Sequence, residues 1–155
     1  MNKKRSKLSI DRLSFQLGMI NCFVEMVACR VKKLALSPPL KPEDYTAIRS
    51  ASDEMVQGFG IHSYLEKTLM ITKLQDKEFT RNKWSILYYK DKPILDEYQA
   101  LKNEQKDLME KGLYDESAEI DISRRFMWLL SYPDSVIEEK LQNRKSGQPF
   151  MLVRD

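Results

Sequence analysis

The 155-residue sequence has few of the residues on which common protein activities depend. It contains one histidine, two cysteines and five glycines. With a single histidine, a serine or cysteine nucleophile would in most arrangements have to use His62 as its base. The motifs G-x-S-x-G, GKS or GKT, and HExxH do not occur. The usual signatures of an α/β-hydrolase, a P-loop nucleotide hydrolase and a zinc protease are therefore missing.

Long hydrophobic runs are also missing. The longest uncharged stretch near the N-terminus, residues 13–24, falls well short of the ~20 apolar residues that a membrane-spanning helix needs. The start MNKKRSK looks like the basic end of a signal peptide, but charged and polar residues interrupt the segment that follows. The sequence therefore predicts a protein that is not exported and has no membrane partner.

The two cysteines do not form a recognisable site. Cys22 and Cys29 are seven residues apart in a segment predicted to be helical, which separates them by roughly 10 Å. This distance exceeds the usual Cα separation across a disulfide. Two cysteines and one histidine also fall short of the four ligands of a structural zinc site. We expect reduced, buried thiols in a cytoplasmic protein that has no cofactor and no metal.

The positive charge is concentrated at one end of the chain. The net charge is +3, but the first dozen residues alone carry +4, so the remainder carries −1. A compact nucleic-acid-binding domain instead spreads lysine and arginine over a folded face. We expect a basic disordered tail over residues 1–9, one helical domain over residues 10–144, and a loosely ordered tail over residues 145–155. Within this last tail, residues 150–153 could dock as an edge strand.

Apolar residues recur with helical spacing in the N-terminal region. The seam consists of Leu13, Leu17, Ile20, Val24, Val27, Val31 and Leu34. Its spacing predicts a helix over residues 10–36, ended by the Ser-Pro-Pro segment at residues 37–39. Pro42 then suits the first turn of a second helix, which closes at Gly58 or Gly60 and packs antiparallel on the first.

The middle of the chain allows two interpretations. Residues 68–72 and 83–90 are rich in β-branched and aromatic side chains, which favours a small β-hairpin. Ser63 and Glu66, however, would form the capping box of a short helix. Beyond Pro93, apolar spacing predicts a helix that ends near Gly112, and a second helix over residues 120–130. A third follows, with Ser131 as its N-cap.

These patterns together predict a mainly α protein. The expected architecture is an antiparallel helical bundle around a central N-terminal helix, with a small β-hairpin as the α+β alternative. No internal repeat or low-complexity segment divides the chain.

Three residues are candidates for catalysis or ligand binding. His62 and Glu66 are four residues apart and would share one face of a helix, where they could hold a metal or act as a general-base pair. The alternative is a partly exposed ion pair or a capping arrangement. Glu25 is flanked by apolar residues, so burial could perturb its pKa. It also belongs to a polar stripe of the first helix, which favours a simple solvent-facing position.

The segment KWSILYYK and its neighbours combine basic and aromatic side chains, as single-stranded nucleic-acid platforms do. The residues are Arg81, Lys83, Trp84, Tyr88, Tyr89, Lys90 and Lys92. The alternative is a hairpin with one core face and one solvated face. Further on, the segment RFMWLLSYPDSVIE resembles an L-L-G-Y-P segment of prokaryotic proteins of unassigned function. It covers about a dozen residues, lacks the glycine, and implies no activity.

The sequence does not establish an activity, and it leaves three hypotheses. In the first, the protein is a non-enzymatic interaction or regulatory module that works through a protein partner or as a homo-oligomer, because its first helix is apolar nearly all round. In the second, it is an enzyme or small-ligand binder with a pocket between the first two helices that uses Glu25 and His62. In the third, it binds nucleic acid weakly through the basic tail and residues 84–89.

Overall fold

Helices and short strands alternate along the chain. The computed structural model describes residues 9–75 and 77–142. The elements are α1 (Arg12–Ala28), β1 (Leu34–Leu36), α2 (Pro42–Phe59), β2 (His62–Glu66), α3 (Lys77–Thr80), β3 (Ser85–Tyr89), α4 (Lys92–Glu110), α5 (Glu116–Leu129) and α6 (Asp134–Gln142). The prediction of a mainly helical protein is confirmed. The helices are accompanied by a small three-stranded sheet.

The sheet is antiparallel and has the order β1-β3-β2. In the central strand β3, Leu87 packs in a cluster with side chains of α4 and α5. Ile86 and Tyr88 pack in a second cluster with α1 and α2. Because both faces are covered, all five residues of β3 are buried. The helices therefore divide between the two faces of a sheet, and a single bundle around a central first helix is not confirmed.

The first helix is shorter than predicted. It ends at Ala28, and Arg30 follows with a left-handed φ of 62°. Val31, which the helical seam would bury, has an exposed fraction of 65%, while Leu34 is fully buried in β1. The prediction of a helix to residue 36 is wrong because pairing with β3 buries Leu34 and Ala35 in the two cores on opposite faces. Adjacent side chains of a strand point to opposite faces of the sheet, whereas adjacent side chains of a helix are only about 100° apart around its axis.

The second helix begins and ends as predicted. Pro42 stands in its first turn, and Gly60 terminates it in the left-handed conformation. The first turns of α1 and α2 are joined by an ion pair in which Arg12 Nη2 lies 2.8 Å from Asp44 Oδ1. The N-terminal ends of the two helices are thus adjacent, which does not fit the predicted antiparallel packing. The intervening strand β1 reverses the chain before α2 begins.

The hairpin prediction is correct for one strand only. Residues 83–90 contain β3, but its partners are β1 and β2 rather than residues 68–72. The capping box is wrong, since Ser63 and Glu66 lie in β2, where Ser63 pairs with Tyr88. Alternation along β2 directs Leu65 into the second core, which a short helix at this position would not achieve.

The helices after Pro93 are confirmed, with Gly112 in the left-handed conformation just after α4. Ser131 is not an N-cap. It has a φ of 66°, and its hydroxyl accepts a hydrogen bond from the backbone N–H of Lys33 instead. The predicted terminal tails at residues 1–9 and 145–155, including residues 150–153, lie outside the described residues apart from Ser9.

The end of α2 offers a stability test. Gly60 has a φ of 64°, whereas Gly58 lies within the helix, and an added Cβ at either position meets no atom within 4 Å. We expect Gly60→Ala to lower the free energy of unfolding by about 1–2 kcal/mol, because a side chain disfavours this backbone conformation. The matched variant Gly58→Ala should raise it by about 0.5 kcal/mol. Urea denaturation of both variants measures the difference, and equal effects would contradict the assigned helix end.

Candidate functional site

The three candidate residues from the sequence lie in different surroundings. Glu25 is exposed on α1, His62 is exposed at the start of β2, and Glu66 is buried at its end. The segment carrying His62 and Glu66 is a strand rather than a helix. In the described part of the chain, no hydrogen bond or ion pair joins any two of these three residues. Their catalytic role stays a prediction.

The carboxylate of Glu66 is held by three neighbours. Its Oε2 accepts a hydrogen bond of 2.9 Å from the Tyr98 hydroxyl and lies 2.8 Å from Lys102 Nζ. Its Oε1 accepts a 2.9 Å hydrogen bond from the backbone N–H of Thr68. Burial, followed by the nearby negative charge of Glu66, raises the pKa of Tyr98, so this phenol remains a neutral donor. The cluster ties the end of β2 to α4.

The structure also tests what the sequence suggested about the two cysteines and about metal binding. Cys22 and Cys29 are free thiols, but both are exposed, so the expectation of buried thiols is wrong. They lie away from the face of α1 that buries Ile20, Val24 and Val27. Over residues 9–75 and 77–142, no group of three or more histidine, cysteine or acidic side chains could hold a metal ion.

The aromatic side chains of β3 are not arranged as a nucleic-acid platform. Tyr88 is fully buried, with its hydroxyl 2.9 Å from Ser52 Oγ, and Tyr89 has an exposed fraction of 8%. Trp84 packs edge-on against Tyr45 with ring centroids 5.5 Å apart. Nucleic-acid bases could therefore not stack on Tyr88 or Tyr89. Of the three aromatic residues in the predicted platform, this leaves Trp84 for stacking with a base.

A cavity of about 200 Å³, not anticipated from the sequence, lies between α1, β1, the segment before α3, and the junction of α5 and α6. We call it the Lys32 cavity. Its lining residues are Phe23, Lys32, Leu36, Ser37, Pro39, Leu74, Gln75, Leu130, Tyr132 and Lys140. Most of these side chains are apolar, and the lining contains two lysines and no acidic residue. The cavity therefore combines an apolar interior with positive charge.

The two lysines stand beside one aromatic ring. Lys32 Nζ lies 5.5 Å and Lys140 Nζ 5.4 Å from the centre of the Tyr132 ring. Lys32 Nζ also donates a 2.7 Å hydrogen bond to the carbonyl oxygen of Leu130, which uses one of its three donors. Within the described residues neither lysine has an acidic partner. An anion beside the Tyr132 ring could therefore pair with either lysine.

Burial changes the acid–base properties of two of these groups. Desolvation lowers the pKa of Lys32 and raises the pKa of Tyr132. Both shifts disfavour the charged form of the side chain. A negatively charged ligand next to Lys32 would raise the pKa of this lysine again, because it stabilises the ammonium ion.

Two further polar groups line the cavity. The Ser37 hydroxyl donates to the Pro38 carbonyl and accepts a hydrogen bond from the backbone N–H of Ile86, so it is occupied. The Oε1 atom of Gln75 is buried and has no hydrogen-bond partner among the residues that the structure describes. This amide could supply an orienting contact to a ligand.

Sequence reasoning missed this cavity because its walls come from four distant segments. Lys32 lies within the predicted helix over residues 10–36, which in fact ends at Ala28. Tyr132 appears in the sequence only within the segment RFMWLLSYPDSVIE, which implies no activity, and Lys140 carries no local signal. Lys32 and Leu130 are hydrogen-bonded across 98 residues of sequence. No spacing rule connects positions this far apart.

Comparisons with known protein families, curated proteins and solved structures gave no match for this chain. They therefore give no function for it. None of the helices in the described part of the chain has the length and apolar character needed to cross a membrane.

The Glu66 cluster can be tested for a structural role. We expect Tyr98→Phe to lower the free energy of unfolding by about 1.5–3 kcal/mol, because it removes a buried hydrogen bond to a carboxylate. The matched control is Tyr64→Phe on β2, the strand that also carries Glu66. Because Tyr64 is more than one-third exposed, we expect this variant to change the free energy of unfolding by less than about 0.5 kcal/mol. If both variants unfold at the same urea concentration, the cluster does not anchor β2.

Proposed function

We propose that the protein binds a small ligand that carries an apolar body and one acidic group, and that the Lys32 cavity is its binding site. The observation that carries this proposal is the pair of lysines, Lys32 and Lys140, beside the Tyr132 ring, with no acidic partner among the described residues. Apolar walls exclude water and so strengthen the attraction between these ammonium groups and an anion.

The volume restricts the size of the ligand. A cavity of about 200 Å³ is somewhat larger than an engineered apolar cavity of about 150 Å³ that takes up one benzene molecule. A single aromatic ring with a carboxylate fits this space, whereas a dinucleotide or a long acyl chain does not. Phe23, Leu36 and Leu74 would contact the ring, and the carboxylate would lie at the lysines.

This site differs from the pocket between the first two helices that the sequence favours for a ligand. The Lys32 cavity touches α1 through Phe23 and has no lining residue from α2. A role for Glu25 and His62 stays a separate prediction, and Glu25→Gln and His62→Ala should leave binding at the Lys32 cavity unchanged.

Benzoate and its neutral isostere benzamide test the proposal. We expect benzoate to perturb the NMR signals of cavity residues and to bind several-fold more tightly than benzamide. Lys32→Gln and Lys140→Gln should each weaken benzoate binding about fivefold, the order expected for one partly exposed ion pair. Lys106→Gln is the control, because Lys106 is exposed on α4 and pairs with Glu110. Equal binding of benzamide, or an equal loss in the control, would refute an anion site.

Binding should also depend on pH through Lys32. The ligand requires the ammonium form, so affinity should fall as pH rises through the Lys32 pKa, which burial places below the usual lysine range. Titration of benzoate affinity from pH 7 to about pH 9.5, below the ordinary lysine pKa of ~10.4, measures this fall. In Lys32→Arg the fall should disappear from that range, because arginine stays protonated. A persistent fall in that variant would assign the effect to another group.

As a second proposal, the protein acts through a protein partner or as a homo-oligomer. This proposal is supported by exposed apolar side chains outside the Lys32 cavity. Val31 has an exposed fraction of 65%, Trp128 of 47%, and Lys33 Nζ lies over the Trp128 ring. Exposed apolar side chains of this size are typical of contact surfaces. Native mass spectrometry of the protein from its own cells should show a dimer or a protein complex that Trp128→Ser weakens. A bare monomer in both samples would contradict this.

We also propose a cytoplasmic location, supported by the free thiols. Cys22 on α1 and Cys29 directly after its last residue are exposed and unpaired. Exposed thiols persist where glutathione and thioredoxin keep them reduced.

A further inference from the structure

The wall of the Lys32 cavity contains a polar atom whose hydrogen-bonding capacity is unused. The side-chain oxygen Oε1 of Gln75 is buried and accepts no hydrogen bond from residues 9–75 or 77–142. Gln75 belongs to the segment before α3 and lines the cavity. A carbonyl oxygen in this position has lost its contact with water without gaining a donor from the protein, which is unfavourable.

The unpaired oxygen and the lysines mark two separate points of the cavity. Lys32 Nζ uses one of its three donors on the Leu130 carbonyl, so two remain. Nevertheless, neither Lys32 nor Lys140 donates a hydrogen bond to Gln75 Oε1 in the described part of the chain. An ammonium group with free donors would pair with this oxygen if it were within reach. The acceptor and the two ammonium groups are therefore at different places on the cavity wall.

We propose that the ligand of the Lys32 cavity is an aromatic acid with an amino or hydroxyl group on its ring, and that Gln75 selects this ligand by accepting a hydrogen bond from that group. The inference rests on the proposed function, since the acid end takes the same lysine site. Polar contacts at two separate points fix the orientation of the ring, whereas the lysines alone hold only its acid end.

The other polar groups of the cavity do not provide this selection. The Ser37 hydroxyl is already engaged with two backbone groups. The lysines in their charged form only donate. Burial raises the pKa of Tyr132, so its hydroxyl stays protonated and can either donate or accept. Oε1 of Gln75 only accepts, so it distinguishes a ligand with a donor from one without.

Aminobenzoate and methylbenzoate test the inference in the unmodified protein. The two acids are similar in size, but an aromatic amine donates hydrogen bonds and a methyl group does not. The meta and para isomers of each acid are compared, because the direction from the lysines to Gln75 decides which ring position faces the oxygen. We expect one aminobenzoate isomer to bind about tenfold more tightly than its methyl counterpart, the upper range for one hydrogen bond, because the acceptor is already desolvated.

A variant of Gln75 assigns the preference to this side chain. Gln75→Met removes the acceptor and keeps an unbranched side chain of similar length. The preference for aminobenzoate should disappear in this variant, while methylbenzoate binds as before. Gln57→Met is the matched control, because Gln57 is exposed on α2, and the preference should persist there. If Gln75→Met does not fold, carbon NMR of the unmodified protein replaces it: the side-chain carbonyl signal of Gln75 should shift more with aminobenzoate than with methylbenzoate.

The outcomes separate this inference from the proposed function. If both acids bind equally, and more tightly than their neutral amides, the anion site stands and the hydrogen bond to Gln75 is refuted. If the preference persists in Gln75→Met, another acceptor such as the Tyr132 hydroxyl receives the donor, and the assignment to Gln75 is overturned. If none of the acids binds, the proposed function fails, and this inference fails with it.

Discussion

The structure depends on the burial of β3 on both of its faces. This strand supplies side chains to two separate cores, one with α1 and α2 and the other with α4 and α5. Its hydrogen bonds also hold β1 and β2 in place. Because the five residues of β3 contribute to both cores, this strand fixes the position of one core relative to the other. The outer positions of β1 and β2 in the sheet follow directly from its central position.

The same arrangement creates the Lys32 cavity. β1 is held by β3, and its last residue, Leu36, lines the cavity together with Phe23 of α1 and the junction of α5 and α6. Lys32 reaches across this gap to the Leu130 carbonyl, and Ser131 accepts a hydrogen bond from Lys33. These two contacts connect β1 to the second half of the chain without filling the space between them. The cavity is thus bounded by contacts between segments about 100 residues apart.

Much of the secondary structure could be predicted from local signals, because helix boundaries depend on nearby residues. Pro42, Gly60, Pro93 and Gly112 each mark a helix end through their own backbone geometry. The end of α1 could not be predicted in this way. Leu34 continues the helical spacing, and its place in a strand is decided by β3, more than 50 residues later. The cavity was missed for the same reason, since Lys32 and Lys140 come to the same Tyr132 ring only in the folded chain.

The position of β3 in the sequence has a consequence for how the protein is made. α1, β1, α2 and β2 all precede it, yet the core they share includes Ile86 and Tyr88. During synthesis from the N-terminus, the first 84 residues emerge from the ribosome without the strand that completes their apolar core. The core shared by α1 and α2 stays incomplete until residue 89 has left the exit tunnel, so part of its apolar surface remains exposed on the nascent chain during synthesis.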